Sequence, residues 1–178
     1  MRHPRREMIV LVATGIVTLL FMVGMQMIAY FPTPDMEMLP DAGQIMSMHS
    51  AMDAREMTLY RFFRMLDMFF PLAYGSFLIL SLRRLQRRWV QFGPQGKDRE
   101  SRPGWMRLLM LLPVIGVLGD YAENILLMVT LAAHPEASSA AAAVGIANLV
   151  KWIGLLLTPT AAAGLAVAVT IRRRRKPV

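Results

Sequence analysis

Four predominantly apolar runs, each about as long as a bilayer is thick, constrain this chain more than any other feature: about Met8 to Tyr30, Leu59 to Leu82, Trp105 to Ala133, and Ala140 to Ile171. A helix needs about 20 apolar residues to cross a hydrocarbon core roughly 30 Å thick. The four runs therefore use up most of the 178 residues. No sizeable soluble domain fits beside them, because such a domain needs a polar shell that this chain lacks. The expected fold is all-α: a single polytopic membrane domain of four transmembrane helices in an antiparallel bundle. Lacking cysteine, the chain has no route to disulfide frameworks, thiolate zinc sites, iron–sulfur clusters or cysteine nucleophiles.

The first run follows the basic start MRHPRRE, which resembles the n-region of a secretory signal. It is longer than a signal core, and MQMIAYFPTP offers no small-x-small cleavage site, so a retained helix is expected. Pro32, Pro34 and Pro40 interrupt the chain after it; Gly93, Pro94, Pro103 and Gly104 do so between the second and third runs; Pro135 marks the last turn. The residues joining the third and fourth runs, HPEASS, are few enough to force an antiparallel hairpin.

Lys and Arg close to a span stay in the cytoplasm far more often than they cross. Three cations precede the first span (Arg2, Arg5, Arg6). Eight lie in or beside the segment between the second and third spans, in a basic linker placed at 83–104 and at Arg107, and five follow the fourth, from Arg172 to Lys176. That is 16 of the 20, against Arg55 alone among five acids in the outer loop 32–58. The predicted arrangement is a multi-pass inner-membrane (plasma-membrane) protein with both termini cytoplasmic. The net charge of +8 sits at membrane edges without interleaved aromatics, which suits anionic lipid headgroups and not nucleic acid. In the outer loop, Asp41 is a plausible N-cap, and Met46, Met52, Leu59 and Phe63 recur at near-helical intervals. An interfacial amphipathic helix that runs into the second span is expected.

Ionisable residues inside a span cost several kcal/mol on insertion scales, so they face the bundle and pair. The second span carries Arg61, Arg64 and Asp67, the third Asp120, Glu123 and Asn124, the fourth Asn148 and Lys151, and the first Gln26. At about 1.5 Å per residue, Asp67, Glu123, Lys151 and Asp120 fall roughly 12 to 20 Å from the outer ends of their helices, in one layer. Asp120, Glu123 and Asn124 are related by i, i+3 and i+4; Arg64, Asp67, Pro71 and Tyr74 by i, i+3, i+7 and i+10; Asn148 and Lys151 by i, i+3. Each helix thus has one polar stripe. Three acids against Lys151 leave the layer short of positive charge by two, to be supplied by Arg64 reaching inward, a shared proton, a metal ion or a cationic ligand. Lys151 is expected to pair with Glu123 or Asp120 across the hairpin. Pro71 is expected to distort the second span, because its ring opposes the carbonyl of Asp67.

Several roles fit such a layer. It can fix helix register within the bundle, a homo-oligomer or a larger membrane complex, or it can bind or pass a polar or lipid-like ligand. An intramembrane enzyme would use Asp120 and Glu123 as a carboxylate pair on a lipid-like substrate. No nucleophile–base–orienter set accompanies that pair, and His3, His49 and His134 all fall outside the spans, so the expected role is non-enzymatic and without a cofactor. Methionine is abundant, with Met36, Met38, Met46, Met48, Met52 and Met57 between the first two spans. With His49 these thioethers offer soft ligands to Cu(I) on the outer face; the alternative is that they fill apolar gaps.

Three stretches carry a resemblance. LDMFFPLAYGSFL at residues 66–78 holds D-x-x-F-P-x-x-Y, LLPVIGVLGDYAENILL at residues 111–127 holds D-x-x-E-N, and Lys151 and Trp152 form KW. Together they resemble a family of small uncharacterised bacterial four-helix integral membrane proteins. The resemblance covers the second to fourth spans. It implies four helices and marks Asp67, Pro71, Tyr74, Asp120, Glu123, Asn124 and Lys151 as family-like positions, with no inherited role.

Overall fold

The computed structural model describes residues 4–28, 38–92, 103–136 and 139–174. Met36, His3 and the basic stretch 93–102 lie outside the described residues, as does the side chain of Gln26. Among the described residues there is no strand. The helices are α1 (Pro4–Ile28), α2 (Ala42–Ala51), α3 (Ala54–Asp67), α4 (Phe70–Gln91), α5 (Gly104–Leu109), α6 (Leu111–Ala133) and α7 (Ser139–Arg174). They group into four lengths long and apolar enough to cross a membrane: α1, α3 with α4, α5 with α6, and α7.

Local sequence explains the boundaries. Asp41 caps α2 through a reciprocal box, its carboxylate accepting from the Gln44 N–H at 2.8 Å while the Gln44 side chain accepts from the Asp41 N–H at 2.7 Å. Asp53 and Glu56 repeat the device at α3. Only Met52 and Asp53 separate the two helices, so the second span begins at Ala54, ahead of the expected Leu59. It then breaks at residues 68–69: α3 ends at Asp67, and Pro71 sits in the first turn of α4, where a missing N–H costs nothing. The expected distortion at Pro71 is thus a full interruption. Pro113 plays the same part in the first turn of α6, just after the break at Met110.

The bundle order follows from cross-helix contacts. Phe21 stacks on Phe70 at 5.8 Å while Glu7 pairs with Arg87 near the opposite ends of the same two helices, so α1 and α4 run antiparallel. Tyr74 meets Asp120, and the Gln86 amide donates to the Met106 carbonyl at 2.6 Å, which makes α4 antiparallel to the α5–α6 span. Trp89, expected in a linker, belongs to α4. Its ring meets Trp105 edge-on at 6.0 Å and lies 3.4 Å from the Arg172 guanidinium, joining the basic ends of α4, α5 and α7. Arg83, Arg84, Arg87 and Arg88 are likewise on the last turns of α4, and not in a linker.

The α2 helix is not only an interfacial stripe. Its buried face is Ile45 and His49, not the expected Met46 and Met52, and Ile45 packs with Leu127, Ala141 and Val144 at one end of the α6–α7 pair. That pair is the closest approach in the fold. A Cβ on Gly119 would stand 2.5 Å from the Lys151 N and 3.0 Å from the Ala147 carbonyl oxygen, and one on Gly116 would stand 3.3 Å from the Gly154 backbone. In a membrane, where hydrocarbon does not drive helices together, such backbone contact is a main source of association.

Gly119→Ala should therefore force the two backbones apart and cost about 1–3 kcal/mol, the usual range for overpacking. Gly164→Ala, whose Cβ meets nothing within 4 Å, should leave stability unchanged or raise it slightly. Equilibrium unfolding of both variants in mixed micelles checks this. Equal effects would mean that the α6–α7 contact is not tight.

Candidate functional site

The close approach of α6 and α7 sets the position of Lys151. With its backbone against Gly119, its side chain lies beside the carboxylates that flank that glycine's face of α6. The Nζ is 2.5 Å from Glu123 Oε2 and 3.9 Å from Asp120 Oδ1. The expected Lys151 pairing is therefore present, and it engages both acids.

From Asp120 the contacts spread to the second span. The Tyr74 hydroxyl donates to Asp120 Oδ2 at 2.9 Å, and the Asn124 amide nitrogen is 3.5 Å from Asp120 Oδ1. The Asn124 Oδ1 in turn accepts from Arg64 at 3.0 Å, and the same Arg64 nitrogen is 3.4 Å from Asp67 Oδ2. Asn124 thus bridges two charge groups, one built on α3 and one on α6 and α7. Asn148 is fully buried one turn before Lys151. Arg64, Asp67, Tyr74, Asp120, Glu123, Asn124, Asn148 and Lys151 are all less than a tenth exposed. Arg61 is exposed and does not join them.

The second span supplies three of these groups, Arg64 and Asp67 from α3 and Tyr74 from α4. A continuous helix would place Arg64, Asp67 and Tyr74 along a single drifting stripe; here Asp67 closes α3 and Tyr74 lies on the first turns of α4, next to the α4 amino end. Arg64 reaches inward, so among the described residues the layer holds three carboxylates and two cations, one positive charge short rather than two. Asp67 has Arg64 beside it, and Asp120 and Glu123 face one ammonium between them.

Two groups beyond the expected set adjoin the layer at its α2 end. The Arg64 guanidinium lies 5.0 Å from the Tyr60 ring centroid, and His49 meets Tyr60 at 5.8 Å and His134 at 6.3 Å, both edge-on. Tyr60 and Arg64 are an i, i+4 pair, a signal available in the sequence. His49 lies outside the four spans, as expected, yet it is fully buried. Burial, with His134 and Arg64 nearby, pushes its pKa from 6.5 down to about 4. The imidazole is therefore neutral at pH 7. The unfolded chain takes up this proton first, so His49 removes stability as pH falls from about 6.5 toward 4 and has no effect above that window. Among the described residues, no group of three or more His, Asp or Glu side chains is placed to hold a metal ion.

Comparison of the chain with protein-family models, with curated proteins and with solved structures finds no match.

The layer's connectivity predicts non-additivity. Lys151→Met leaves three carboxylates facing one cation and should cost about 3–5 kcal/mol, the range for an orphaned buried charge. Adding Glu123→Gln restores the original excess of one acid and should recover at least about 1 kcal/mol of the loss. Unfolding of both singles and the double in mixed micelles measures the coupling; strictly additive losses would place the charges in separate sites.

Proposed function

We propose that this protein is a small, non-enzymatic integral membrane protein whose intramembrane polar layer binds and releases one proton. The observation that carries the reading is the charge census among the described residues: three carboxylates and two cations in one connected, buried network. One further positive charge balances it. A proton suits the site better than a larger cation because Glu123 is 0% and Asp120 4% exposed, and the α6–α7 backbones touch beside them. A proton needs no cavity.

The proton belongs to the Asp120–Glu123 pair, with Lys151 between the two and the Tyr74 hydroxyl fixing one oxygen of Asp120. Its release would leave the layer with a net negative charge in a low-dielectric interior, which loosens the contact between α6 and α7. Intramembrane ionisable residues facing a bundle interior mark ion pathways and proton relays in many membrane proteins. The basic ends of α1, α4 and α7 support a cytoplasmic placement of both termini, in the inner membrane of a bacterium. The D-x-x-F-P-x-x-Y, D-x-x-E-N and KW residues supply most of the layer, so the resemblance they carry points to this same site.

A second reading is favoured by the fact that most of these polar contacts cross from one helix to another: the layer fixes helix register and does nothing else. The two readings differ in proton linkage. If the folded layer holds a proton that the unfolded carboxylates have lost, stability falls as pH rises, by about 1.4 kcal/mol per pH unit. Measurement between pH 7.5 and 9 keeps clear of His49, whose unfolded-state titration is centred near 6.5, and of Tyr and Lys titration. The wild type should show that slope, and Glu123→Gln, with two acids against two cations, should lose it. A flat wild-type profile, or an equal slope in Glu123→Gln, would overturn the proton reading and leave the register reading.

A further inference from the structure

At the end of the bundle opposite α2, α1 and α4 enclose a cavity of about 250 Å³. Four guanidinium groups line it: Arg83, Arg84, Arg87 and Arg88. Their i, i+1, i+4 and i+5 spacing puts all four on one side of the last turns of α4. The carboxylate among its lining residues is Glu7, and it is engaged by Arg87. Arg84 donates to the Met8 sulfur at 2.8 Å, a neutral acceptor. Arg83 and Arg88 have no ion pair among the described residues, and both are exposed. The cavity thus carries an excess of three positive charges, stacked at a spacing where like charges repel.

The wall away from the arginines is apolar, formed by Leu11 and Leu80. Leu80 lies seven residues before Arg87, roughly 10 Å along the helix toward the middle of the span. The mouth is therefore cationic and planar-donor-rich at its rim and aliphatic below it. A free anion has no use for the lower wall, and nucleic acid would need aromatic platforms that the cavity lacks. A phosphodiester attached to acyl chains matches both halves, since guanidinium forks bind phosphate oxygens in pairs and the leucines continue the hydrocarbon surface.

We propose that the α1–α4 cavity is a specific binding site for the phosphate headgroup of an anionic phospholipid, with one acyl chain laid over Leu11 and Leu80. The headgroup neutralises the arginine cluster and bridges α1 to α4, the helix against which α1 chiefly packs. This site is separate from the polar layer, and neither depends on the other.

The test uses the full chain in mixed micelles, with phosphatidylglycerol and phosphatidylcholine as probes and native mass spectrometry counting retained lipid. The wild type should retain phosphatidylglycerol in preference to phosphatidylcholine. Arg83→Gln with Arg88→Gln should reduce that preference about twenty-five-fold, at roughly a factor of five per arginine near an anionic surface. Its melting temperature in phosphatidylcholine should be unchanged, because neither residue has a protein partner to lose; each single variant is measured too, in case the double does not fold. Arg173→Gln with Arg174→Gln removes the same charge from the end of α7 and should leave the preference intact. An equal loss in both doubles would show general electrostatic attraction and overturn the site. Displacement of the lipid by glycerol 3-phosphate or inorganic phosphate at matching concentration would also overturn it, by showing that the acyl wall plays no part.

Discussion

The contact between the Lys151 ammonium and Glu123, at 2.5 Å inside a helix pair, is the constraint on which the rest of this fold turns. An ammonium or a carboxylate alone in hydrocarbon is costly enough to exclude a helix from the bilayer. Together, with Asp120, Asn124 and Tyr74 around them, they are tolerable only if the helices stay in one register. Gly116, Gly119 and Gly154 make that register available by letting the α6 and α7 backbones touch. A side chain at Gly119 would move Lys151 away from its acids, so the glycine and the lysine act as one unit.

The same constraint explains the broken second span. Asp67 and Arg64 must approach Asn124 from α3 while Tyr74 approaches Asp120 from α4. Pro71 marks the turn between the two helices, which falls between those groups. His49 and Tyr60 adjoin the layer at the α2 end, and the neutral state of His49 at pH 7 adds no charge to it. At the opposite end, Trp89, Trp105 and Arg172 hold three helices together where the arginines begin. Charge is thus concentrated in one buried layer and one basic rim, with apolar surface between.

Much of this is legible in the residues, because a membrane span leaves few ways to hide a polar group. Asp67, Asp120, Glu123 and Lys151 share a depth and each lies on one stripe of its helix, and these two facts suffice to bring them together. Asp41 as a cap and Pro71 as a break follow from local backbone chemistry alone. What was not legible depends on tertiary placement. Arg64 reaching inward is one of four ways the sequence offers to offset the charge deficit, and only its contact with Asn124 selects it. His49 falls within the expected outer helix, but its burial is not legible, because the docking of α2 on α6 and α7 through Ile45 leaves no trace in helix periodicity. The helical continuation through Arg88 and Trp89 was hidden by their charge and polarity, which suit a linker as well as a helix end.

The central claim is that three acids and two bases in this layer hold one proton. Infrared difference spectroscopy of the purified protein at neutral pH, with exchange into heavy water, counts protonated carboxyl groups directly. The wild type should show one carboxylic-acid band that is slow to exchange, and Glu123→Gln should abolish it by balancing the layer. A wild-type spectrum containing carboxylate bands alone would contradict the account.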